Sequence, residues 1–430
     1  MTIAANFSVR VRSKISHKYA DRAVIKGKRG VQTPLFSTVA AMAFGLMLTP
    51  LTWAQASFET AGKLAIETNV FASKGQFDGQ DYQHNLSVAL APELYWSWDD
   101  DTLLFKPFAR LDEQDAERTH FDVRELLWTH VADDWEMRAG IGKVFWGVTE
   151  FNHLVDVINQ SDGVDSFNGE KKLGQPMIVL STVTDSGIVD AYLLPGFREQ
   201  TFAGKNGRLR AGLVVDGDNA TYESSQKQQH VDFALRWSHS VDVFDFGVYG
   251  FQGTDRSPVF SQVSQNGAVV LQPYYQQSTQ FGVDAQATID SWLWKFEAIS
   301  KSTKDDDYVA TQAGFEYSFY GIADSVADLG VLVEYGWDER GKKATAIAQN
   351  DVYIGGRITF NDTDNTALLM GVSYDNDYHS KTALLEASQR LNDYWTVALE
   401  ASVFVAGNSQ DPVANLDKDD RLQFTLERYF

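Results

Sequence analysis

The stretch "DRLQFTLERYF", residues 420–430, decides how the rest of the chain is read. Leu422, Phe424 and Leu426 alternate with Gln423, Thr425 and Glu427, the period of a strand with one apolar and one polar face. Phe430 follows at once, and a terminal strand stays ordered only if it has a partner. A sheet that closes on itself supplies one, because its last strand hydrogen-bonds to its first.

The same alternation runs back through the chain. In "AGKLAIETNV" (61–70), Leu64, Ile66, Thr68 and Val70 alternate with Lys63, Ala65, Glu67 and Asn69. In "STQFGVDAQATI" (278–289), Phe281, Val283, Ala285, Ala287 and Ile289 alternate with Gln280, Gly282, Asp284, Gln286 and Thr288. Apolar faces of about ten residues are long enough to cross a membrane on a tilt. Eighteen such segments can be marked, from 58–72 through 84–98, 119–131, 135–146 and 176–184 to 421–430; sixteen is the alternative count. Their connections sort by end. Long ones (147–175, 196–228, 254–275) alternate with short ones such as 99–101, 132–134 and 392–393. The pattern predicts an all-β fold, a single closed antiparallel transmembrane barrel over 57–430 with short periplasmic turns and long outer loops. A soluble sandwich has no reason to sort its loops in this way.

Aromatic placement agrees. Trp98, Trp135, Trp237, Trp292 and Trp395 fall beside short turns, where an interfacial girdle belongs. An aromatic Phe430 fits the signal that hands such barrels to the assembly machinery through the C-terminal strand, although Arg428 sits where an apolar residue is usual.

Residues 1–56 read as a cleaved signal peptide: eight Lys and Arg between Arg10 and Arg29, an apolar stretch at 35–53, then "AQA" at 54–56. The whole chain carries a formal charge of −21, and removing this basic segment leaves the remainder more acidic still. Such a surface repels nucleic acid. With no cysteine there is neither a disulfide framework nor a lipid-anchor thiol.

The segment "THFDVRELLWTHVADDWEMRAGIGKVFWGVTEFNHLVDVINQSD" (119–162) resembles a group of Gram-negative outer-membrane, porin-like proteins. The likeness continues through "LGQPM" (173–177), "YLLPGFREQTFAGKNGRLR" (192–210), "GTDRSPVF" (253–260), "SWLWKFEA" (291–298) and "ADLGVLVEYGWDERG" (327–341). It implies an outer-membrane barrel among outer-membrane lipids and lipopolysaccharide, and carries over no substrate and no site residue. The "WG … VDVIN" stretch is more weakly similar to larger porin-like barrels found beside lipid-exporting systems.

A barrel of this size keeps an aqueous lumen. Strand parity turns Arg110, Arg124, Arg138, Arg236 and Arg357 inward, with Lys295, Asp122, Glu297, Glu334 and others. Mixed charge on a pore wall sets selectivity, and its bland counterpart is wall ion pairs such as Asp122 with Arg124. The loop 147–175 is the sharpest feature. Phe151, Leu154, Val155 and Ile158 have the spacing of one face of a short helix, and Glu150, Asp156, Asp162, Asp165 and Glu170 make the segment acidic. Folded inward against a basic wall, it would narrow the lumen and set up a transverse field; folded outward, it would be a cap. Pro92 and Pro107 inside strands call for bulges, and Glu125 on a lipid-facing parity for a register shift.

No HExxH or GxSxG pattern occurs, so no enzyme is expected, and neither is a cofactor. "DDD" (305–307) suits a divalent cation or, more simply, a solvated turn. The leading expectation is a passive channel for small polar solutes with a slight cation preference. Inward aromatics such as Tyr95, Phe108, Trp128, Tyr249, Phe251 and Phe404 would instead serve a conduit for lipids or other apolar molecules. One sequence leaves the oligomeric state open.

Overall fold

The structure, a computed structural model, describes residues 56–265, 267–344 and 348–430. The expected signal peptide therefore lies, apart from Ala56, outside the described residues. Eighteen antiparallel strands, from Ser57–Phe71 to Arg421–Tyr429, form one closed sheet in which each pairs with its neighbours in the chain. The last strand closes on the first, with Lys63 opposite Tyr429 and Phe71 opposite Arg421. The backbone of Phe430 exchanges two 3.1 Å hydrogen bonds with Gly62. A Cβ on Gly62 would lie 2.8 Å from the Phe430 ring, so the closing seam needs a glycine there.

The two faces of the sheet invert the soluble rule. Outside, Leu64, Ile66 and Val70 are exposed, while Ala65, Glu67 and Asn69 between them are buried. The same holds around the ring: Leu180, Phe233, Phe281 and Val372 are exposed, and Asp232, Glu297 and Gln312 are wholly buried. An apolar exterior around a polar interior is stable only if the exterior solvent is hydrocarbon. The molecule is an outer-membrane β-barrel. Trp98, Trp135, Trp292 and Trp395 are first or last residues of strands at the short-turn end. Trp237 lies further in, and its indole N–H donates to Ser186 O in the turn at 2.9 Å.

Three local departures have physical causes. Pro92 and Pro107 face each other across a gap in the ladder between the pairs Leu90–Ala109 and Leu94–Phe105, so their missing N–H groups share one window. Pro107 also marks a bulge: Lys106 pairs with Glu125 but Pro107 with Val123. This is the shift that Glu125 required, and Lys106 lies 3.4 Å from its carboxylate. Beyond the bulge the parity reverses. Leu127 now meets the inward side at Gly142, and Trp128, expected inside, lies on the outer parity with its indole donating to Asp101. Finally, the strand expected over 135–146 stops at Gly142, because the Asn159 side chain takes its place as partner, donating to Gly142 O and accepting from Val144 N.

Outside the membrane zone the long loops build structure that the loop reading of 254–275 did not foresee. Val259–Gln265 and Ala268–Tyr275 form a hairpin that Thr221–Tyr222 joins as a third strand.

Candidate pore and constriction

The loop 143–174 lies inside the barrel. Its Trp146, Val155 and Ile158 pack with Met177, Val179, Tyr192, Leu194, Tyr249 and Phe251, so one side of the lumen is filled by an apolar core. Phe151 crosses to a second patch and stacks on Tyr353 at 4.9 Å. Its ring fits there because Gly355 and Gly371 carry no Cβ; one at either site would come within 2.9 Å or 2.7 Å of it.

Two wall carboxylates hold the tip of this loop. Glu297 accepts from Val148 N (2.7 Å), Thr149 N (3.0 Å), Thr149 Oγ1 (2.7 Å) and Val155 N (3.3 Å). Glu334 accepts from Glu150 N at 2.7 Å and Phe151 N at 3.1 Å. These bonds replace the expected helix, because backbone donors of 148–155 go to side chains across the lumen and not to carbonyls four residues back. Bends and turns result, and the apolar face splits, Phe151 going one way and Val155 with Ile158 the other.

The acidic loop and the basic wall meet in contact. Glu150 lies 2.7 Å from Arg357 and 3.5 Å from Lys295. Arg124 grips Asp162 and, at 2.8 Å, Asp165, with Asp122 at 3.1 Å; Arg110 adds a 3.0 Å contact to Asp165 and one of 3.2 Å to Glu67. Asp156 lies 3.4 Å from Lys172. Arg236 makes a bidentate pair with Asp284, and Arg138 lies 3.1 Å from Glu136. The arginines read from the sequence, and Glu150, Asp156, Asp162 and Asp165 of the loop acids, thus sit in ion pairs, so loop and wall meet in contact and not across open lumen at these residues. Burial alone would raise the Glu150 carboxyl, but Arg357 and Lys295 outweigh it and hold it below its ordinary range. Burial pushes the His153 imidazole down to about 3, and its Nδ1 has no hydrogen-bond partner among the described residues. Asp156 goes the other way, raised by burial.

What remains of the lumen is a cavity of about 2680 Å³, lined from Asp290 and Ser318 at the periplasmic end to Lys343 and Val413 in the outer loops. Glu150, Phe151, Arg236 and Arg357 border it. Above it the outer loop 196–230 reaches across the mouth. Arg208 binds Asp419 and the carbonyls of Ser73 (3.2 Å) and Tyr82 (3.0 Å), with its guanidinium 4.0 Å from the Phe71 ring centre. Sequence reading missed Arg208, Glu297 and Glu334 as clasps, since a clasp shows only when its distant partners are known. His120, Asp162 and Asp165 bring metal-type ligand atoms together, but Arg124 and Arg110 already neutralise these carboxylates.

No family model and no curated protein matches the chain. Solved outer-membrane barrels show a distant likeness. Pseudomonas putida OprB is 10% identical, covering 87% of this chain and 94% of its own, at a TM-score of 0.44. A mutant Rh. blastica porin is 12% identical, covering 87% of this chain and 100% of its own, at 0.43. Pseudomonas aeruginosa OccK11 is 7% identical, covering 87% and 96%, at 0.49.

Proposed function

We propose that this barrel is a channel for passive diffusion of small polar solutes, narrowed by the inward loop 143–174. The observation that carries the reading is the cavity that runs past Glu150, Phe151 and Arg357 from one end of the barrel to the other. The slight cation preference rests on lining acids held by neutral partners, such as Asp245, which accepts from Gln286 Nε2 at 3.0 Å.

The rival reading, a conduit for lipids or other apolar molecules, needs a continuous inward aromatic path. Tyr249 and Phe251 are instead sealed into the core beneath the loop, Phe404 is buried against Phe167, and Trp128 is outside. Aromatics separated by ion pairs favour the polar channel.

The test is solute flux. Residues 57–430, refolded into liposomes, are expected to pass small sugars and to exclude large ones, with amines entering faster than carboxylates of equal size. Impermeable liposomes holding correctly folded barrel would overturn the proposal. Equal rates for both charges would remove only the cation preference.

A further inference from the structure

Every strand of the barrel has a neighbour on both sides, but one long strand outside it does not. In the three-stranded sheet beyond the membrane zone, Ala268–Tyr275 lies in the middle, with Val259–Gln265 on one flank and Thr221–Tyr222 on the other. The middle strand is held from behind as well: Leu271 N donates to Val214 O at 2.9 Å, and Leu271 O accepts from Asp216 N at 2.8 Å. Val259–Gln265 pairs with it over its whole length, from Val259 opposite Tyr274 to Gln265 opposite Ala268. The other edge of Val259–Gln265 meets no strand among the described residues. None of its seven residues is buried, and Val259 and Phe260 are 45% and 40% exposed.

A free edge presents a row of backbone donors and acceptors, and proteins block such edges with charges, prolines, bulges or very short strands. This edge has none of these. "VFSQVSQ" carries no charge and no proline, and its register with the middle strand runs without a shift. The neutrality extends well past the strand. From Ser257 to Val283 there is no Asp, Glu, Lys, Arg or His, in a chain that is 22% charged. The barrel strand Gln277–Ile289 accounts only for the end of that run, and a solvated loop has no need to shed every charge.

We propose that Val259–Gln265 is a docking edge for a second copy of this chain, the two strands pairing antiparallel about a two-fold axis. Charge selects this occupant. At −21, two copies repel wherever their acids meet, and the uncharged edge is where they approach without that cost. A basic partner would be drawn to the acidic surface, to which this edge contributes nothing. Main-chain hydrogen bonds supply the attraction, as in other strand additions, and a two-fold axis makes the contact self-complementary. One short edge buries far less than the standard interface of about 1,600 Å², so the pairing is weak in dilute detergent and favoured where both copies share a membrane. The inference does not depend on the barrel being a channel.

The chain has no cysteine, so single cysteines report the pairing without background. Residues 57–430 in liposomes, with one cysteine placed at each position from 259 to 265 in turn, are oxidised, and the fold of every variant is checked by heat-modifiable migration. Only residues at the two-fold axis face their own copies. Each step along the strand moves the two copies of a residue about 7 Å further apart, and a disulfide needs Cα atoms within about 7 Å. The linked dimer is therefore expected to peak at Gln262→Cys, the midpoint of the strand, and to fall about tenfold within two residues on either side. Gln410→Cys, in a different exposed outer loop, gives the level of chance collision. Adding Val259→Lys with Gln265→Lys sets like charges against each other across the edge and should cut the Gln262→Cys dimer about tenfold. A flat profile over 259–265, dimer no higher than in Gln410→Cys, or no loss with the lysines would each overturn the docking edge. In whole outer membranes, a disulfide from Gln262→Cys to a protein of another mass would assign the edge to a different partner and overturn the pairing of copies.

Discussion

Glu297 shows how much one buried carboxylate can organise. Its Oε1 takes three donors from Val148 and Thr149 and its Oε2 one from Val155, and no cation pairs with it among the described residues, so it acts as an anchor for the loop. Truncation leaves buried N–H groups unpaired, so Glu297→Ala should cost roughly 2–4 kcal/mol of loop docking. Hydrogen exchange at 148–155 would then rise by at least tenfold, whereas unchanged protection would show that the loop stays without it. Glu297→Gln should be milder, since its carbonyl still serves Val148 and Thr149 and only Val155 N meets an amide donor. His153 gives a pH test with a definite sign. Its imidazole, held down to about 3 when docked, would take up a proton near 6.5 once released. Docking is therefore at full strength above about pH 6.5 and weakens as pH falls toward 3, by at most tenfold in equilibrium constant per pH unit. Glu150, held below its ordinary range by Arg357, acts in the same sense at lower pH, and Asp156, raised by burial, in the opposite sense. Protection factors at 148–155, which take out the intrinsic slowing of amide exchange as pH falls, should therefore drop further between pH 6.5 and 5 in the wild type than in His153→Gln. An equal drop in the variant would contradict the assignment to His153.

Among the elements, strands and loops were legible to different degrees for one physical reason. A strand between lipid and water carries its environment in its own alternation, so "AGKLAIETNV" announces both faces, and the bulge announces itself through Pro107 and a misplaced Glu125. The loop 143–174 satisfies its backbone with Glu297 and Glu334, far along the chain, and local periodicity cannot register partners that distant. That is why 149–158 reads as a helix and is none, and why Trp128 changes side beyond a bulge that parity counting passes over. Deleting 150–170 removes the contacts to Glu334 and Arg357, those of Asp162 and Asp165 to Arg124, and the Val155 contact to Glu297 together. We expect conductance to rise about twofold or more with the barrel still heat-modifiable; an unchanged conductance would take the loop out of the permeation path. The outer loop 196–230 offers a separate test. Arg208→Ala frees the clasp to Asp419 and Tyr82, and proteolysis within 196–230 should become faster while the barrel strands stay resistant. Equal resistance of the loop would show that its other contacts, such as Gln80 to Gly207 O at 2.6 Å, suffice.

For the whole molecule, closure ties the parts together. The strand at 421–429 is ordered because the strand at 57–71 is beside it, and the ring so formed can present hydrocarbon-facing residues outward and ionic ones inward. The closed architecture and its loop asymmetry were legible because both are periodic along the chain. The way the ion pairs close was not, because pairing depends on which loop enters the lumen. Seam variants should show this at the global scale. Gly62→Val sets a side chain against Phe430 and Pro92, and is expected to slow refolding and lower the heat-modification temperature; wild-type behaviour would mean that the seam gives way easily. The most direct measurement is single-channel recording of residues 57–430 in a planar bilayer, with the reversal potential read in a salt gradient. Stable ohmic openings with a small potential of cation-selective sign are the expected result. A folded barrel that inserts and stays closed would contradict the channel.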